Sequence, residues 1–403
     1  MKVALVHECI AGYHGSERVL AVLAGLYPEA VIFATACEKG ALVGTPLAGR
    51  EVRTTWLDGV LRVPGLGGRH RLMLPLMPHA VETHDLRGFD VVISSHHAVA
   101  HGVLTRADQL HLCYTHSPAR YAWDLVHEHV PPGRAAPIKR CVLHRFRQWD
   151  QLAGRRVDGF AANSNVVARR IAKTYGKTAR VIHPPVDTER FDPTQSRDDF
   201  YVMLGRLVPY KRPDVVVAAF NKLGKRLVVV GDGPMMKALR RMAGPNVELA
   251  GELSEAEVAD RLQRCRAMVF AAEEDFGMAP VEAMAAGAPV IAFNRGGALE
   301  TVIEGQSGCL FGRSTGRSPG KTSGEALKGQ TAGLNPDDVV EAVRRFEAQG
   351  VTLDAGQLHL QARRFGIEPF HHAVVDWVDT AFRLHEASCE GGPAQAACLN
   401  EPE

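Results

Sequence analysis

The chain has 403 residues, of which 46% are hydrophobic and 23% charged, and its formal net charge at pH 7 is +2. This length exceeds what one hydrophobic core usually serves, so we expect two domains. The composition is typical of a soluble globular protein, and the nearly balanced charge excludes a general electrostatic attraction to nucleic acid.

The N-terminal stretch MKVALVHECIAGYHG is interrupted by polar residues and glycine too early to form a signal peptide or a membrane span, so we expect a cytoplasmic protein. The cysteines are scattered, and without a Cys-x-x-Cys pair they indicate neither a disulfide framework nor a zinc ribbon. His97 and His101 have a metal-capable helical spacing, but no carboxylate or third histidine completes a zinc site.

Short β-branched apolar runs alternate with amphipathic helical patterns along the chain. The runs are KVALVH, AVIFAT, DVVISS, LHLCYTH and GFAANS in the first part, and FYVMLGRL, RLVVVGDG, VELAGEL, AMVFAA and PVIAFN in the second. Continuous apolar strands separated by helices predict parallel sheets that are covered on both faces. We therefore expect two doubly wound α/β domains.

The domain boundary is predicted in the connector RVIHPPVDTERFDP, where Pro184 and Pro185 exclude a helix and favour an extended hinge. This places the first domain at 1–183 and the second at 184–368. Residues 313–334 are rich in Gly, Ser, Thr and Lys, and they are predicted to form a flexible loop.

Residues that follow the strands are the candidates for a site, because open α/β sheets bind ligands beyond the carboxyl ends of their strands. After the first strand, Gly12 and Gly15 loosen the loop, and Ser16 can cap a helix whose amides would bind an anion. A simple strand-to-helix turn explains the same residues. The third glycine of G-x-G-x-x-G is missing, which argues against NAD and against a nucleotide-dependent oxidoreductase.

A basic turn and a glycine-rich turn follow strands of the second domain. Arg206 and Lys211 in GRLVPYKRP supply a guanidinium and an ammonium group that suit a diphosphate, although a solvated basic turn is the alternative. Gly231 and Gly233 flank Asp232 in VVVGDGP, where a turn into a helix is sufficient explanation.

The stretch EEDFGMAPVE follows the apolar run AMVFAA and carries two acids on either side of a turn. The turn is predicted to start a helix, with Glu282 on its first turn and with open backbone amides that point at an anion. Glu274 and Glu282 would supply acceptors for hydroxyl groups. A sugar and a ribose joined through a diphosphate have this pattern of groups.

The segments EEDFGMAPVEAMAAGAPVIAFNRGGALETV and GRLVPYKRPDVVV resemble the retaining glycosyltransferases of family 4, which have the GT-B fold and include bacterial lipopolysaccharide (O-antigen type) mannosyltransferases. The resemblance covers nearly all of the chain. It implies two Rossmann-like domains that face each other across a cleft, and a terminal helix over 369–390 that returns to the first domain.

The resemblance also implies roles for individual residues. Glu274 would approach the transferred sugar, Glu282 would accept from the nucleotide ribose, Arg206 and Lys211 would bind the diphosphate, and His116 would reach the sugar from the first domain. The remaining donor-binding residues would be Phe276, Gly277, Met278 and Ala279, which offer backbone amides, and Gly15 and Ser16, which occupy the family's Gly-Gly position. Ser16 departs from the family's glycine there.

These expectations predict a retaining glycosyltransferase that moves a hexose, with mannose from GDP-mannose preferred and a UDP-sugar as the alternative donor. The acceptor would be a saccharide or a polyprenyl-linked molecule, and no metal or other cofactor is expected. Front-face attack, in which the leaving phosphate oxygen takes the acceptor proton, is preferred to Glu274 as a covalent nucleophile. A GT-B epimerase and a catalytically silent nucleotide-sugar binding protein are the competing hypotheses.

Basic and apolar residues are interleaved at helical spacing in RAAPIKRCVLHRFRQWDQLAGRR, residues 134–156, and combined again in GGRHRLMLPLMP, residues 67–78. The pattern predicts that the first domain touches an anionic membrane surface, which would make the protein peripheral on the cytoplasmic membrane face. A solvated basic helix that packs its apolar side on the core explains the pattern equally well.

Overall fold

The computed structural model describes residues 1–38, 40–63, 73–312, 334–348 and 354–390. The predicted loop at 313–334, except for Leu334, and the basic residues of the 67–78 stretch therefore lie outside the described residues. The chain divides into two compact units, one of Met1–Pro185 with Glu368–Glu403 and one of Val186–Ile367.

The first unit is built on a parallel sheet. Its strands are β1 (Val3–Ile10), β2 (Val31–Cys37), β3 (Val52–Thr54), β4 (Val91–His96), β5 (Leu110–Thr115), β6 (Gly159–Ala162) and β7 (Arg180–Val181), in the order β3-β2-β1-β4-β5-β6-β7. The helices between them are α1 (Gly15–Leu26), α2 (Trp56–Leu61), α3 (Met77–Glu82), α4 (Val126–His129), α5 (Ala136–Arg156) and α6 (Asn165–Tyr175).

The second unit has a second parallel sheet. Its strands are β8 (Tyr201–Leu204), β9 (Leu227–Val230), β10 (Val247–Gly251), β11 (Ala267–Phe270), β12 (Val290–Phe293) and β13 (Gly308–Phe311), in the order β10-β9-β8-β11-β12-β13. Its helices are α7 (Pro213–Leu223), α8 (Met236–Met242), α9 (Glu255–Arg264), α10 (Met278–Ala285), α11 (Ala298–Thr301), α12 (Pro336–Ala348) and α13 (Ala355–Arg363).

The central strands bury both of their faces, as the continuous apolar runs predict. In the first unit, Leu5 and Ile93 belong to one core and Val6 and Val92 to the other, because successive side chains of a strand point to opposite faces. The last helix, α14 (Ile367–Cys389), adds residues such as Trp377 to the first of these cores. The doubly wound α/β class predicted from the sequence is confirmed.

Each sheet reverses its strand order beside its first strand, between β1 and β4 in the first unit and between β8 and β11 in the second. The carboxyl ends of the strands leave a crevice at such a reversal, and ligands of open α/β sheets bind there. Residues just after these four strands are therefore the ones to inspect for chemistry. Among the described residues, every helix is too short or too polar to cross a bilayer.

Candidate functional site

The reversal in the second unit brings Lys211 and Glu274 into direct contact. Lys211 Nζ lies 2.6 Å from Glu274 Oε1, and both side chains are largely buried. Lys211 ends a short 3-10 turn that follows β8, and Glu274 lies in the loop after β11. Burial lowers the pKa of Lys211, but attraction to Glu274 outweighs it and the net pKa is raised, so the ammonium group is charged at neutral pH.

The backbone after Lys211 is held in an unusual conformation. Arg212 has φ 52° and ψ 44°, and in the part of the chain that is described it is the one non-glycine residue with positive φ. This conformation costs on the order of 1 kcal/mol for a residue with a side chain, so it persists only where its surroundings impose it. Arg212 is the C-cap of the 3-10 turn and precedes α7. Arg206 is exposed, and its charge acts against that of Lys211.

The N-terminus of α10 lies in the same loop region. Gly277 precedes the helix with φ 84° and ψ 84°, and as a glycine it has no side chain that could cap the first turn. Phe276 is buried and its ring packs against Phe365, which anchors the turn. The amides of Met278 and Ala279 therefore open a helix whose positive end suits an anion.

A glycine pair after β12, which the sequence analysis did not single out, supports this turn. The amide of Gly297 donates to the carbonyl of Glu274 at 2.8 Å. A Cβ atom on Gly296 would lie 2.3 Å from the Glu274 carbonyl oxygen, and one on Gly297 would lie 2.3 Å from Phe276 Cα. The backbones are too close for any side chain, and the signal in the sequence was a Gly-Gly pair that follows an apolar strand after two intervening residues.

Glu282 lies four residues after the start of α10, just beyond its first turn, and it is buried. Arg190 Nη2 donates to Glu282 Oε1 at 2.7 Å, while Arg190 Nη1 lies 3.3 Å from the exposed Glu255. The guanidinium group of Arg190 also lies over the ring of Phe191. Sequence reasoning missed Arg190, because nothing in the connector indicates which residue of the second unit it will meet.

In the first unit, His116 directly follows β5 and is linked to buried polar groups. His116 Nε2 lies 2.8 Å from Ser95 Oγ, and the same oxygen lies 3.1 Å from His7 Nδ1. His7 Nε2 lies 3.7 Å from Glu17 Oε1. Burial holds the pKa of His116 well below its usual value, with His97 and His7 acting in the same direction, so the imidazole is neutral at pH 7.

The predicted helix cap at Ser16 is wrong. α1 begins at Gly15 with His14 as its N-cap, which places Ser16 inside the first turn. Ser16 Oγ donates instead to Glu17 Oε2 at 3.0 Å, and the amide of His14 donates to the same carboxylate oxygen at 3.2 Å. Glu17, at the third helical position, thus accepts from the amide of the cap residue His14, and the helix begins at Gly15.

The predicted histidine spacing does not correspond to one α-helix. His97 lies in the loop after β4, and His101 lies in the 3-10 turn Ala100–Gly102. Instead, His96, His101 and Asp150 are buried together with potential ligand atoms within 4.8 Å of one another.

The partners of this cluster indicate a hydrogen-bonded network more than a metal site. Asp150 accepts from Trp123 Nε1 at 2.7 Å and from the Tyr175 hydroxyl at 3.3 Å, and His96 Nε2 lies 3.3 Å from the same hydroxyl. Burial raises the pKa of Asp150 to about 6. A zinc ligand atom needs its lone pair directed at the ion, and here the Asp150 oxygens and His96 Nε2 already have partners.

Comparison with known proteins identifies the family. A family model described as "Glycosyltransferase Family 4" matches residues 14–190, and one described as "Glycosyl transferases group 1" matches residues 186–317. The chain belongs to glycosyltransferase family 4. The resemblance read from the two sequence segments is thereby confirmed.

Curated relatives of this family 4 chain match it in part. A GDP-mannose-dependent alpha-(1-6)-phosphatidylinositol monomannoside mannosyltransferase of Mycolicibacterium smegmatis is 31% identical over 217 residues, which are 46% of this chain and 55% of that protein. A D-inositol 3-phosphate glycosyltransferase of Nocardiopsis dassonvillei is 28% identical over 60% of this chain and 57% of that protein. The chain thus spans little more than half the length of the curated relatives it matches.

Solved structures support the GT-B fold of this family 4 chain. Sucrose-phosphate synthase from Thermosynechococcus elongatus has a TM-score of 0.68 at 15% identity, covering 95% of this chain and 100% of that one. The Anabaena protein HepE in complex with UDP-glucose has a TM-score of 0.63 at 16% identity, covering 94% of this chain and 100% of that one.

Proposed function

We propose that this chain is a retaining hexosyltransferase that moves mannose from GDP-mannose to a lipid-linked saccharide acceptor without a metal ion. The observation that carries the proposal is the contact of Lys211 with Glu274 beside the open N-terminus of α10. These groups lie after β8 and β11, where the strand order reverses. A cation, a carboxylate and helix amides at that position suit a sugar diphosphate.

Lys211 and the amides of Met278 and Ala279 would take the charge that develops on the leaving diphosphate, with exposed Arg206 as a second cation. A bound diphosphate competes with Glu274 for Lys211. Glu274 would then be released to accept a hydrogen bond from a sugar hydroxyl. Because these groups already supply positive charge, we expect no requirement for a divalent metal.

Glu282 would accept hydrogen bonds from the hydroxyls of the nucleotide ribose. Its 2.7 Å contact with Arg190 holds the buried carboxylate in one orientation. A buried carboxylate held in this way is a stronger acceptor than a mobile surface acid.

Retention of configuration is proposed to follow front-face attack. The bond from the anomeric carbon to the phosphate oxygen breaks, the acceptor oxygen bonds to that carbon on the same face, and the leaving phosphate oxygen takes the acceptor proton. A covalent intermediate on Glu274 is the alternative, and front-face attack is preferred because it needs no separate base.

The donor proposal rests on the mycobacterial-type relative, whose name specifies GDP-mannose. The test is incubation of the purified chain with GDP-mannose, UDP-glucose and UDP-N-acetylglucosamine, with membrane lipid extract as the acceptor source, followed by measurement of nucleoside diphosphate and mannosylated product. Release of GDP with an α-linked product supports the proposal, and retained activity in EDTA supports metal independence. Turnover of only UDP-sugars would overturn the donor, and isomerised sugar without acceptor would indicate an epimerase.

The acceptor proposal rests on α5. Its exposed side carries basic residues together with two exposed aliphatic ones, here called the basic face: Arg134 just before the helix, then Ile138, Lys139, Arg140, Arg145, Leu152 and Arg155. Arg147 and Arg156 are excluded from it, because they donate to the carbonyls of Ala122 and Gly102. A basic surface with aliphatic side chains suits an anionic bilayer, and the named relative acts on a phosphatidylinositol mannoside.

A further inference from the structure

Glu17, His7, Ser95 and His116 form a continuous line of polar side chains along one face of the first sheet. We infer that Glu17, His7 and Ser95 act as positioning residues that fix His116 in its Nε2–H tautomer, so that Nδ1 is presented as a hydrogen-bond acceptor. The assignment of a sugar hydroxyl as the ligand of that nitrogen rests on the proposed function.

The sheet brings these residues together at its reversal point. His7 lies on β1 and Ser95 on β4, and these two strands are paired there, with Val6 opposite Ser94. Ser95 is opposite Tyr114 on β5, two residues before His116. Because β4 lies between β1 and β5, the Ser95 hydroxyl lies between His7 and His116 at the carboxyl ends of the three strands.

The single proton of the Ser95 hydroxyl permits two arrangements, because it can donate to only one of its two histidine partners. In the first, Ser95 donates to His7 Nδ1 and accepts from His116 Nε2–H. In the second, Ser95 donates to His116 Nε2 and accepts from His7 Nδ1–H.

Glu17 decides between these arrangements. In the first, His7 carries its proton on Nε2, which lies 3.7 Å from Glu17 Oε1. In the second, a neutral His7 would turn the lone pair of Nε2 toward that carboxylate. Both side chains are buried, so bulk water does not screen that repulsion.

The charge states support this choice. Burial alone would raise the pKa of Glu17, but hydrogen bonding and attraction from His7, with the Ser16 hydroxyl, lower it to about 2, so the carboxylate is ionised. His97 is a further neighbour, 6.3 Å from His116 between ring centroids, and burial lowers its pKa. Around neutral pH Glu17 is therefore ionised and His116 is neutral.

The consequence concerns the class of ligand that His116 can bind. A neutral imidazole whose Nδ1 carries a lone pair accepts from a hydroxyl group and repels a phosphate oxygen. His116 is therefore suited to accept a hydrogen bond from a sugar hydroxyl of a donor and not to bind its diphosphate. The same line of residues excludes His116 from serving as a cation for the leaving group.

The tautomer is measured directly by two-dimensional ¹⁵N–¹H correlation of the histidine rings in the full chain, with His116→Gln used for assignment. We expect a protonated Nε2 and an unprotonated Nδ1 for His116, and a mixture of tautomers in Ser95→Ala. Ser94→Ala is the matched control, because Ser94 is a buried neighbour whose hydroxyl lies 3.0 Å from His111 Nε2 on the other face of the sheet. It should change His111 and leave His116 unaltered.

Glu17→Gln is a second variant, which keeps the test decisive if Ser95→Ala does not fold. Glu17→Gln removes the charge that disfavours the second arrangement. We therefore expect a mixture of His116 tautomers in this variant, as in Ser95→Ala. A protonated Nδ1 on His116 in the unaltered protein, or tautomers unchanged in both variants, would overturn the inference.

Kinetics separate this inference from the proposed function. With a donor that the protein uses, Ser95→Ala should lower kcat about 10-fold relative to Ser94→Ala, the loss expected for one hydrogen bond, with unchanged affinity for the nucleoside diphosphate. Equal kinetics in the two variants would contradict the ligand assignment. If the unaltered protein transfers no sugar at all, the proposed function fails, whereas the tautomer measurement still decides the positioning role.

Discussion

At the scale of single residues, the second unit places two carboxylates in different electrostatic settings. Glu274 is paired with Lys211, which a diphosphate would bind. Glu282 is paired with Arg190, which also contacts Glu255. Glu274 can therefore change partner when a donor binds, and Glu282 is held in place. The two acids are suited to the reacting sugar and to the ribose, respectively.

The ribose assignment predicts that Glu282→Ala weakens binding of GDP by about 1 to 3 kcal/mol, the cost of losing a charged hydrogen bond. Isothermal titration calorimetry with GDP measures this. Glu255→Ala is the matched control, because Glu255 also contacts Arg190 but its side chain is 62% exposed. Unchanged GDP affinity in Glu282→Ala, or an equal loss in Glu255→Ala, would contradict the assignment.

Glu17 predicts a dependence of stability on pH. Its folded-state pKa of about 2 is below the unfolded value near 4.5, so the unfolded chain binds the proton first as the pH falls. The contribution of Glu17 to the free energy of unfolding is present above pH 4.5 and is lost as the pH falls toward 2, and its full size is about 3 kcal/mol.

Urea unfolding at a series of pH values between 5 and 3 tests this, and Glu17→Gln should lose less stability over that interval than the unaltered protein. Glu29→Gln, at an exposed glutamate of the same unit, is the control and should leave the slope unchanged. A slope in Glu17→Gln equal to that of the unaltered protein would show that the carboxylate is not stabilised by folding.

Most of these candidate residues were proposed from the sequence, because strand ends in an α/β pattern locate them and the two segments carry a family pattern. It did not predict Arg190, Ser95 or His7. Each of these acts through a contact with a residue distant in sequence, and the pairing of such residues depends on strand order. The predicted cap at Ser16 failed for a local reason, since the Ser16 hydroxyl donates to Glu17, which also accepts from the His14 amide.

At the scale of secondary-structure elements, the predicted apolar runs all contain strands, whereas the strands that were missed, β3, β7 and β13, lie at sheet edges. An edge strand has a neighbouring strand on one side only and needs no continuous apolar run. A search for apolar runs therefore does not find it. The loops after the strands are fixed by backbone contacts that composition cannot indicate, as the glycine pair after β12 illustrates.

That glycine pair allows a sharply controlled prediction. Gly296 and Gly224 have φ of 68° and 66°, so alanine should strain the backbone equally at both positions, by about 1 kcal/mol. A Cβ atom on Gly224 meets nothing within 4 Å, whereas one on Gly296 would lie 2.3 Å from the Glu274 carbonyl oxygen.

Gly296→Ala should therefore displace the turn after β11 and lower GDP affinity at least 10-fold, whereas Gly224→Ala should lose only stability. Calorimetry with GDP and thermal unfolding of both variants separate the two effects. Equal GDP affinity in the two variants would show that the loop after β12 does not support the site.

At the scale of the whole molecule, the basic face of α5 predicts binding to anionic bilayers. Lys139→Glu with Arg145→Glu should reduce flotation with vesicles that contain phosphatidylglycerol, because each basic side chain near such a surface contributes about 1 kcal/mol. Lys222→Glu with Arg226→Glu, which changes the same charge at exposed sites of the second unit, should float like the unaltered protein. Equal flotation with neutral and anionic vesicles, or none with either, would favour a water-soluble acceptor.

The position of α14 has a consequence for the order in which the chain can fold. Phe370, Val374 and Trp377 complete the core that Leu5 and Ile93 begin, so that core needs residues from both ends of the described chain. The second unit is continuous in sequence over Val186–Ile367. On the ribosome it emerges in full before α14 is made, so the usual order in which the N-terminal unit matures first is reversed. Until α14 arrives, one side of the first sheet is covered only in part, by α1, and it is during synthesis that this protein most needs protection from aggregation.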